Sequence, residues 1–176
     1  MRTKITPDGN IEHEGLNRVE AMTFEQQYPL RDEKVTLPRL QTLHPKVRDT
    51  FRMFVSLCEQ KHDITIRVTQ ALRTIEYQNE LYAQGRTKAG KIVTNAKGGS
   101  SYHNYGLAID MVPIINNKAA WGYPFENFKT IAGLLGIEWG GNWKFVDKPH
   151  FQITFGYKTK QLLTMPKDAD GYVILP

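Results

Sequence analysis

The sequence predicts a single α+β domain. Three observations lead there. A length of 176 residues with 40% hydrophobic and 23% charged content suits one compact core. Apolar residues recur at helical spacing in some segments and alternate in others. Helical and strand segments follow one another without the regular rhythm of a parallel sheet.

The first residues are polar, contain Pro7-Asp8-Gly9 and Pro29, and lack sustained periodicity. They read as an N-terminal arm over 1–37, lying on the domain or partly disordered, with the domain proper at 38–176. A helix is expected from Pro45, because proline is tolerated at the first helical position and Val47, Phe51, Phe54, Val55 and Cys58 then share one face. Residues 64–69 alternate with β-branched side chains and predict a strand. A second helix is expected over 74–84, with Thr74 as N-cap, Tyr77, Leu81 and Tyr82 as its apolar face and Gly85 as its stop.

Residues 86–101 form a long polar loop of the kind that carries function in compact domains. A strand over 105–112 follows, holding Asp110. Phe125, Phe128, Ala132 and Leu135 predict a third helix after Pro124, ending at Gly136. Short strands are expected at 137–139 and 150–154, and Asp170-Gly171 signals a turn in the tail.

Composition narrows the function classes. The net charge of +5 favours polyanionic partners, but an anionic wall polymer, nucleic acid and a merely soluble basic surface all satisfy it. The charge is scattered and no nucleic-acid motif accompanies it, so no nucleic-acid partner is expected. No apolar run approaches the ~18 residues of a membrane span, so no membrane insertion is expected. The basic N-terminus lacks a following apolar stretch and does not read as a secretory signal, which predicts a cytoplasmic protein until release. A single cysteine, Cys58, excludes an internal disulfide. Its helical apolar pattern predicts a core thiol rather than a nucleophile.

Of five histidines, His13, His44 and His62 suit surface or capping roles. His103 and His150 have different neighbourhoods. His103 follows a glycine-rich loop and precedes Asp110, a carboxylate in an otherwise apolar strand. Such a charge is costly unless it is paired or bound to a cation; a hydrogen-bonded structural aspartate is the equal alternative. His150 follows a proline at the start of a strand, with Asp147 on the turn before it. Two histidines and one carboxylate make a plausible catalytic zinc shell with a position left open. The spacing is not a compact helical signature and is only suggestive by itself.

The segment Ser101-Tyr102-His103-Asn104-Tyr105-Gly106-Leu107-Ala108-Ile109-Asp110 resembles the S-x-H-x-x-G-x-A-x-D signature of the LAS metallopeptidases, the D-Ala-D-Ala peptidase and hedgehog group. Asp147-Lys148-Pro149-His150-Phe151 resembles that group's D/E-x-x-H element. The segments 73–87, 92–99 and 139–143 are similar to those of phage endolysins and bacterial enzymes that act as L-alanyl-D-glutamate endopeptidases. The resemblance covers about 47–153, without the arm, the tail or a recognisable wall-binding module.

What the resemblance implies is specific. The fold is a central antiparallel sheet flanked by helices, hedgehog-like or D-Ala-D-Ala-peptidase-like. His103, Asp110 and His150 hold one Zn2+, and Asp147 is the general base. Arg73 stabilises charge on the substrate carbonyl oxygen, while Gln78 and Ser101 line the substrate site. Taken alone, these last three suit a surface salt bridge, core-edge packing and turn formation. Tyr102, Tyr105, Trp139 and Trp143 are candidate groove walls, of which at least half are expected in the core. Gly98-Gly99 and Gly140-Gly141 are expected to admit a peptide backbone or to make tight turns. The implied activity is zinc-dependent hydrolysis of the peptidoglycan stem peptide at L-alanyl-D-glutamate by a monomeric, endolysin-like protein, phage-encoded or bacterial. A D-alanyl-D-alanine carboxypeptidase or dipeptidase, and a wall-binding domain without turnover, are the alternatives.

Overall fold

Strand β4, Ala108–Ile115, is the axis of the molecule, with buried side chains on both of its faces. The computed structural model describes residues 2–5, 11–14 and 22–176. Much of the expected arm lies outside the described residues, as do the Pro7-Asp8-Gly9 turn and the side chain of His13. Within the arm, strands β1, Arg2–Ile5, and β2, Ile11–Glu14, pair antiparallel.

A short helix α1, Phe24–Gln27, is opened by a reciprocal Thr23–Gln26 capping box. Helix α2, Glu33–Gln41, was not expected, because its apolar stripe is weak and Pro38 lies inside it. Tertiary contacts hold it instead. The buried Thr36 hydroxyl accepts a hydrogen bond from the Val68 N–H at 3.2 Å, clamping α2 onto the neighbouring strand.

Helix α3, Pro45–His62, follows its pattern closely. His44 caps it by accepting from the Lys46 N–H at 3.2 Å. Val47, Phe51, Phe54, Val55 and Cys58 are all buried. Burial pushes the Cys58 thiol well above its ordinary range, so this cysteine is a core residue. His44 does cap, but it is buried rather than superficial: its other ring nitrogen donates to the Val173 carbonyl at 2.9 Å and ties the tail to the start of α3.

The main sheet is antiparallel throughout, in the order β3-β4-β7-β6, with β5 also on β4. Its remaining strands are β3, Thr65–Gln70; β5, Lys118–Ala119; β6, Glu138–Trp139; and β7, His150–Gln152. Helices α2 and α3 pack against β3. This is the expected α+β arrangement.

Register decides what each face of the sheet carries. Ile109, Phe151 and Trp139 stand opposite one another across β4, β7 and β6, forming a buried row. The alternate row faces the other way: Asp110 opposite His150, and Gln152 between Ala108 and Glu138. One face is core and the other carries chemistry.

Helix α4, Ile75–Ala83, is capped by the Thr74 hydroxyl as expected. Its inner face is not apolar. Tyr77 is exposed, Leu81 and Tyr82 are half-buried, and the buried residue is Gln78. The helix rests on the polar loop after it rather than on the core, which inverts the usual pattern. A 3-10 turn, Tyr102–Tyr105, delays β4 until Gly106, whose φ of +65° turns the chain. The third expected helix begins as a 3-10 segment, Phe125–Phe128, and continues as α5, Lys129–Leu134. Helix α6, Thr159–Thr164, was not expected; Leu162 is its buried anchor.

Phe54 of α3 stacks at 4.9 Å on Phe151, the residue beside His150, so the core directly supports β7. Phe54→Ala is expected to lower stability by roughly 3–5 kcal/mol in urea unfolding. A loss below about 1 kcal/mol would mean that the support comes from elsewhere.

Candidate metal centre

Three polar side chains converge where β4 and β7 pair. Asp110 and His150 face each other by register, and the 3-10 turn before β4 brings in His103. The separations are 3.2 Å for His103 Nε2 to Asp110 Oδ1, 3.1 Å for His150 Nδ1 to Asp110 Oδ1, and 3.2 Å for His103 Nε2 to His150 Nδ1. Among the described residues this is the one group of three with metal-ligand geometry.

With both imidazoles neutral, the hydrogens do not satisfy this cluster. His103 Nδ1 lies 2.8 Å from the Ala71 carbonyl, which only accepts, so that nitrogen carries the hydrogen. Its Nε2 then presents a lone pair to the cluster. His150 Nε2 lies 3.0 Å from Gln152 Oε1, and His150 Nδ1 is likewise turned inward as an acceptor. Three acceptors therefore meet at one point, and a cation is what relieves their repulsion.

A tetrahedral zinc shell with bonds of about 2.0–2.2 Å separates neighbouring donors by about 3.3 Å, which matches these distances. The donor set of two imidazoles and one carboxylate also leaves a fourth position free. The residues fit the group.

The electrostatics describe the same cluster with a proton in it. Burial would raise the Asp110 pKa, but the facing imidazoles overcome it and hold the carboxyl far below its ordinary range. Burial would lower His150, yet the Asp110 hydrogen bond and charge turn the net shift upward. In the metal-free protein a proton takes the place of the cation, so metal and proton compete for one position.

Arg73 stands beside this centre. Its Nη2 pairs with Asp110 Oδ2 at 3.5 Å, leaving Oδ1 to the cluster. Its Nη1 donates to Gln78 Oε1 at 2.8 Å. Its Nε is the one buried side-chain nitrogen or oxygen without a partner among the described residues. Asn104, which the sequence reading did not single out, donates to the Arg73 carbonyl at 2.9 Å and fastens the 3-10 turn to the head of α4.

An open cleft of about 650 Å³ lies over the centre. Its lining includes Arg73, Ser101, His103, Asp110, Asp147 and His150, all expected at the site. Gln78 was expected to touch substrate, but it is fully buried and outside the lining. Its amide is occupied by Arg73 and by the Ala96 carbonyl at 2.8 Å, so it braces Arg73 against the loop. Ser101 lines the cleft and also accepts from the His103 N–H at 3.4 Å, capping the turn that carries the histidine.

The aromatic candidates divide evenly. Tyr105 and Trp139 are core residues, whereas Tyr102 and Trp143 line the cleft, with the Trp143 ring 5.0 Å from that of His150. The glycines serve the chain's own packing. A Cβ on Gly140 would meet the Asp147 carbonyl at 2.6 Å, and one on Gly98 would meet Ile75 and Asn79 at 2.7–2.8 Å. Gly99 makes the tight turn, with φ of +79°. Exposed Val93, Phe145 and Val146 add an apolar rim that periodicity does not reveal, since all three lie outside regular elements.

Asp147 is placed by backbone bonds alone: its N–H donates to Gly140 O at 3.0 Å, and its carbonyl accepts from the His150 N–H at 3.2 Å. Desolvation in the cleft, then the charge of Asp110, raises its pKa above the ordinary carboxylate value.

Residues 94–153 match the family described as D-alanyl-D-alanine carboxypeptidase. The chain is 41% identical over 133 residues to the peptidoglycan L-alanyl-D-glutamate endopeptidase CwlK of Bacillus subtilis, across 66% of this chain and 77% of that protein. It is 37% identical over 106 residues to the L-alanyl-D-glutamate peptidase of a Listeria phage, across 57% of this chain but only 34% of the phage protein. Similar solved structures are the L-Ala D-Glu endopeptidase ChiX of Serratia marcescens, at 21% identity and TM-score 0.49 over 80% of this chain and 96% of that one, and the vancomycin-resistance D,D-pentapeptidase VanY in complex with Zn(II), at 11% identity and TM-score 0.49 over 69% and 78%. Among the described residues, no helix is long and apolar enough to cross a membrane.

Two outcomes follow from this geometry. His103→Ala protein should purify without stoichiometric metal under conditions that load the wild type; equal metal content by elemental analysis would refute the ligand set. Asp147 is harder to ionise in the fold than in the unfolded chain, so its contribution to stability is present in acid and lost as pH rises through its raised pKa. Metal-free Asp147→Asn should therefore melt above metal-free wild type at neutral pH, with the gap closing in acid. A lower melting temperature at neutral pH would contradict the shift.

Proposed function

The chain belongs to the family of the peptidoglycan L-alanyl-D-glutamate endopeptidase CwlK, and from that premise we propose that it is a zinc peptidase that hydrolyses the stem peptide of bacterial peptidoglycan between L-alanine and D-glutamate. The observation that carries the reading is the meeting of three acceptors, His103 Nε2, Asp110 Oδ1 and His150 Nδ1, on the floor of an open cleft.

Zinc bound there would supply Lewis acidity, polarising the scissile carbonyl and making a water acidic enough to attack near neutral pH. The chain's own residues do the rest. Asp147, with its raised pKa, takes the proton of the attacking water and returns it to the leaving amine. Its position at the cleft wall, fixed through Gly140 and His150, suits that role. Arg73 faces the negative charge that builds on the carbonyl oxygen. Its unpartnered Nε supports this assignment, because a buried donor left unsatisfied costs about 1–3 kcal/mol unless an acceptor arrives. Gln78 and Asp110 hold the guanidinium in place, so little reorganisation accompanies the reaction. Ser101 is placed to contact the substrate backbone.

The family match over 94–153 favours a second reading, a D-alanyl-D-alanine carboxypeptidase. That activity requires recognition of a terminal carboxylate. Arg73 is the only cationic side chain among the described residues lining the cleft, and it is already engaged by Asp110. The endopeptidase reading is therefore preferred. A wall-binding domain without turnover would have no use for Asp147 or for an unpaired arginine nitrogen.

Mass spectrometry of digested peptidoglycan distinguishes the readings. New N-terminal D-glutamate is expected; released D-alanine would establish the carboxypeptidase instead, and intact wall would leave the binding domain. Asp147→Ala should abolish cleavage while retaining zinc. Arg73→Ala should lower kcat on the order of 100- to 1000-fold, and a loss under about threefold would remove it from oxyanion stabilisation.

A further inference from the structure

We propose that Gln152 and Glu138 form a positioning relay that locks the tautomer of His150 and thereby creates the third metal-ligand lone pair. This rests on the reading of His150 as a ligand and extends it two residues outward.

The argument starts at the outer end. The Glu138 carboxylate has only acceptors to offer. Its Oε1 accepts from the Thr154 hydroxyl at 2.9 Å, which fixes its orientation, and its Oε2 lies 3.0 Å from Gln152 Nε2. The amide nitrogen of Gln152 must therefore point at Glu138, and its oxygen must point the other way. That oxygen lies 3.0 Å from His150 Nε2. The only favourable pairing there is His150 Nε2–H donating to Gln152 Oε1. The hydrogen is thus committed to Nε2, and Nδ1, 3.1 Å from Asp110 Oδ1, is left with a free lone pair.

Without Glu138, the Gln152 amide has no reason to prefer one orientation. Turned over, it would present its nitrogen to His150 Nε2, and that ring nitrogen would have to accept. The hydrogen would then move to Nδ1, into the position the cation needs. One carboxylate two side chains away thus decides whether His150 is a ligand.

Register builds the relay. Glu138 stands opposite Gln152 across β6 and β7, Gln152 and His150 alternate onto one face of β7, and Asp110 stands opposite His150 across β4. Four side chains form one row over the sheet. Ala108, opposite Gln152, is small and leaves the row room. Gln152 is itself buried at the base of the cleft, and both ends of its amide are engaged within the protein, so it acts as a positioning residue.

The test reads the tautomer directly, without zinc and without substrate. Nitrogen-15 NMR of the metal-free protein, read at a pH where the ring shifts themselves report a neutral imidazole, should show His150 protonated at Nε2 in the wild type. In Gln152→Leu and Glu138→Leu the hydrogen should shift in part to Nδ1. Zinc affinity by chelator competition should fall about 10- to 100-fold in both. Glu138→Gln can still offer an oxygen to the Gln152 amide, and it should retain wild-type tautomer and zinc affinity within about threefold. Glu138 is exposed, so its variants report even where Gln152→Leu fails to fold. Wild-type tautomer and affinity in folded Glu138→Leu would overturn the relay. A wild type that binds no zinc yet keeps the Nε2 hydrogen would refute the metal reading and leave the relay standing.

Discussion

Everything at this site depends on three acceptor atoms held about one hydrogen-bond length apart with room between them for a single cation or proton. Such a cluster is repulsive in isolation. It persists because each member is fixed from outside: His103 through the Ala71 carbonyl, Asp110 through Arg73 and the strand, His150 through Gln152. The buried row of Ile109, Phe151 and Trp139 holds the same strands from the opposite face. A slip of one residue between β4 and β7 would put Asp110 and His150 on opposite faces of the sheet and break up the ligand cluster. Fold and site are therefore specified by the same register.

The site also concentrates features that the fold would be more stable without. Arg73 keeps a buried nitrogen unpaired, Asp147 is harder to ionise than an ordinary carboxylate, and Phe145 and Val146 expose apolar surface at the rim. Each is unfavourable alone, and on the proposed reading a bound peptide and its attacking water would supply what each lacks: an oxygen for the arginine, a proton for the carboxylate, apolar contact for the rim. Their clustering around one cleft, with a dense aromatic core behind it, is the usual division between a costly working surface and a stabilising scaffold.

Local signals made much of this legible in the sequence. Helix α3 announces itself through one apolar face, and the two motif segments carry His103, Asp110, Asp147 and His150 in order. What escaped is non-local. Helix α2 has a weak stripe and an internal proline, and it exists because Thr36 is clamped by β3. Gln78 was found through its nearness to Arg73, yet its full burial was not foreseen, because nothing in the spacing says that α4 buries a polar side chain. Glu138 and Gln152 carry no signal at all until β6 and β7 are paired. A glutamate and a glutamine fourteen positions apart become neighbours only through register.

Bond selection, by contrast, cannot reside in the metal shell, which would act on any amide brought to it. It must lie in the walls. The wall formed by the 86–101 loop is prebuilt: Arg86 donates to the Tyr82 carbonyl at 2.7 Å, to Thr94 O at 3.0 Å and to Asn95 Oδ1 at 3.0 Å, while its guanidinium stacks 4.0 Å over the Tyr82 ring. Gln78 fastens the same loop from beneath and holds Arg73 with its other end. One buried amide thus fixes the loop wall of the cleft relative to the Arg73 guanidinium. On the proposed reading, changes in the loop would reach Arg73 through Gln78, coupling substrate choice to rate through a residue that touches neither the peptide nor the metal centre.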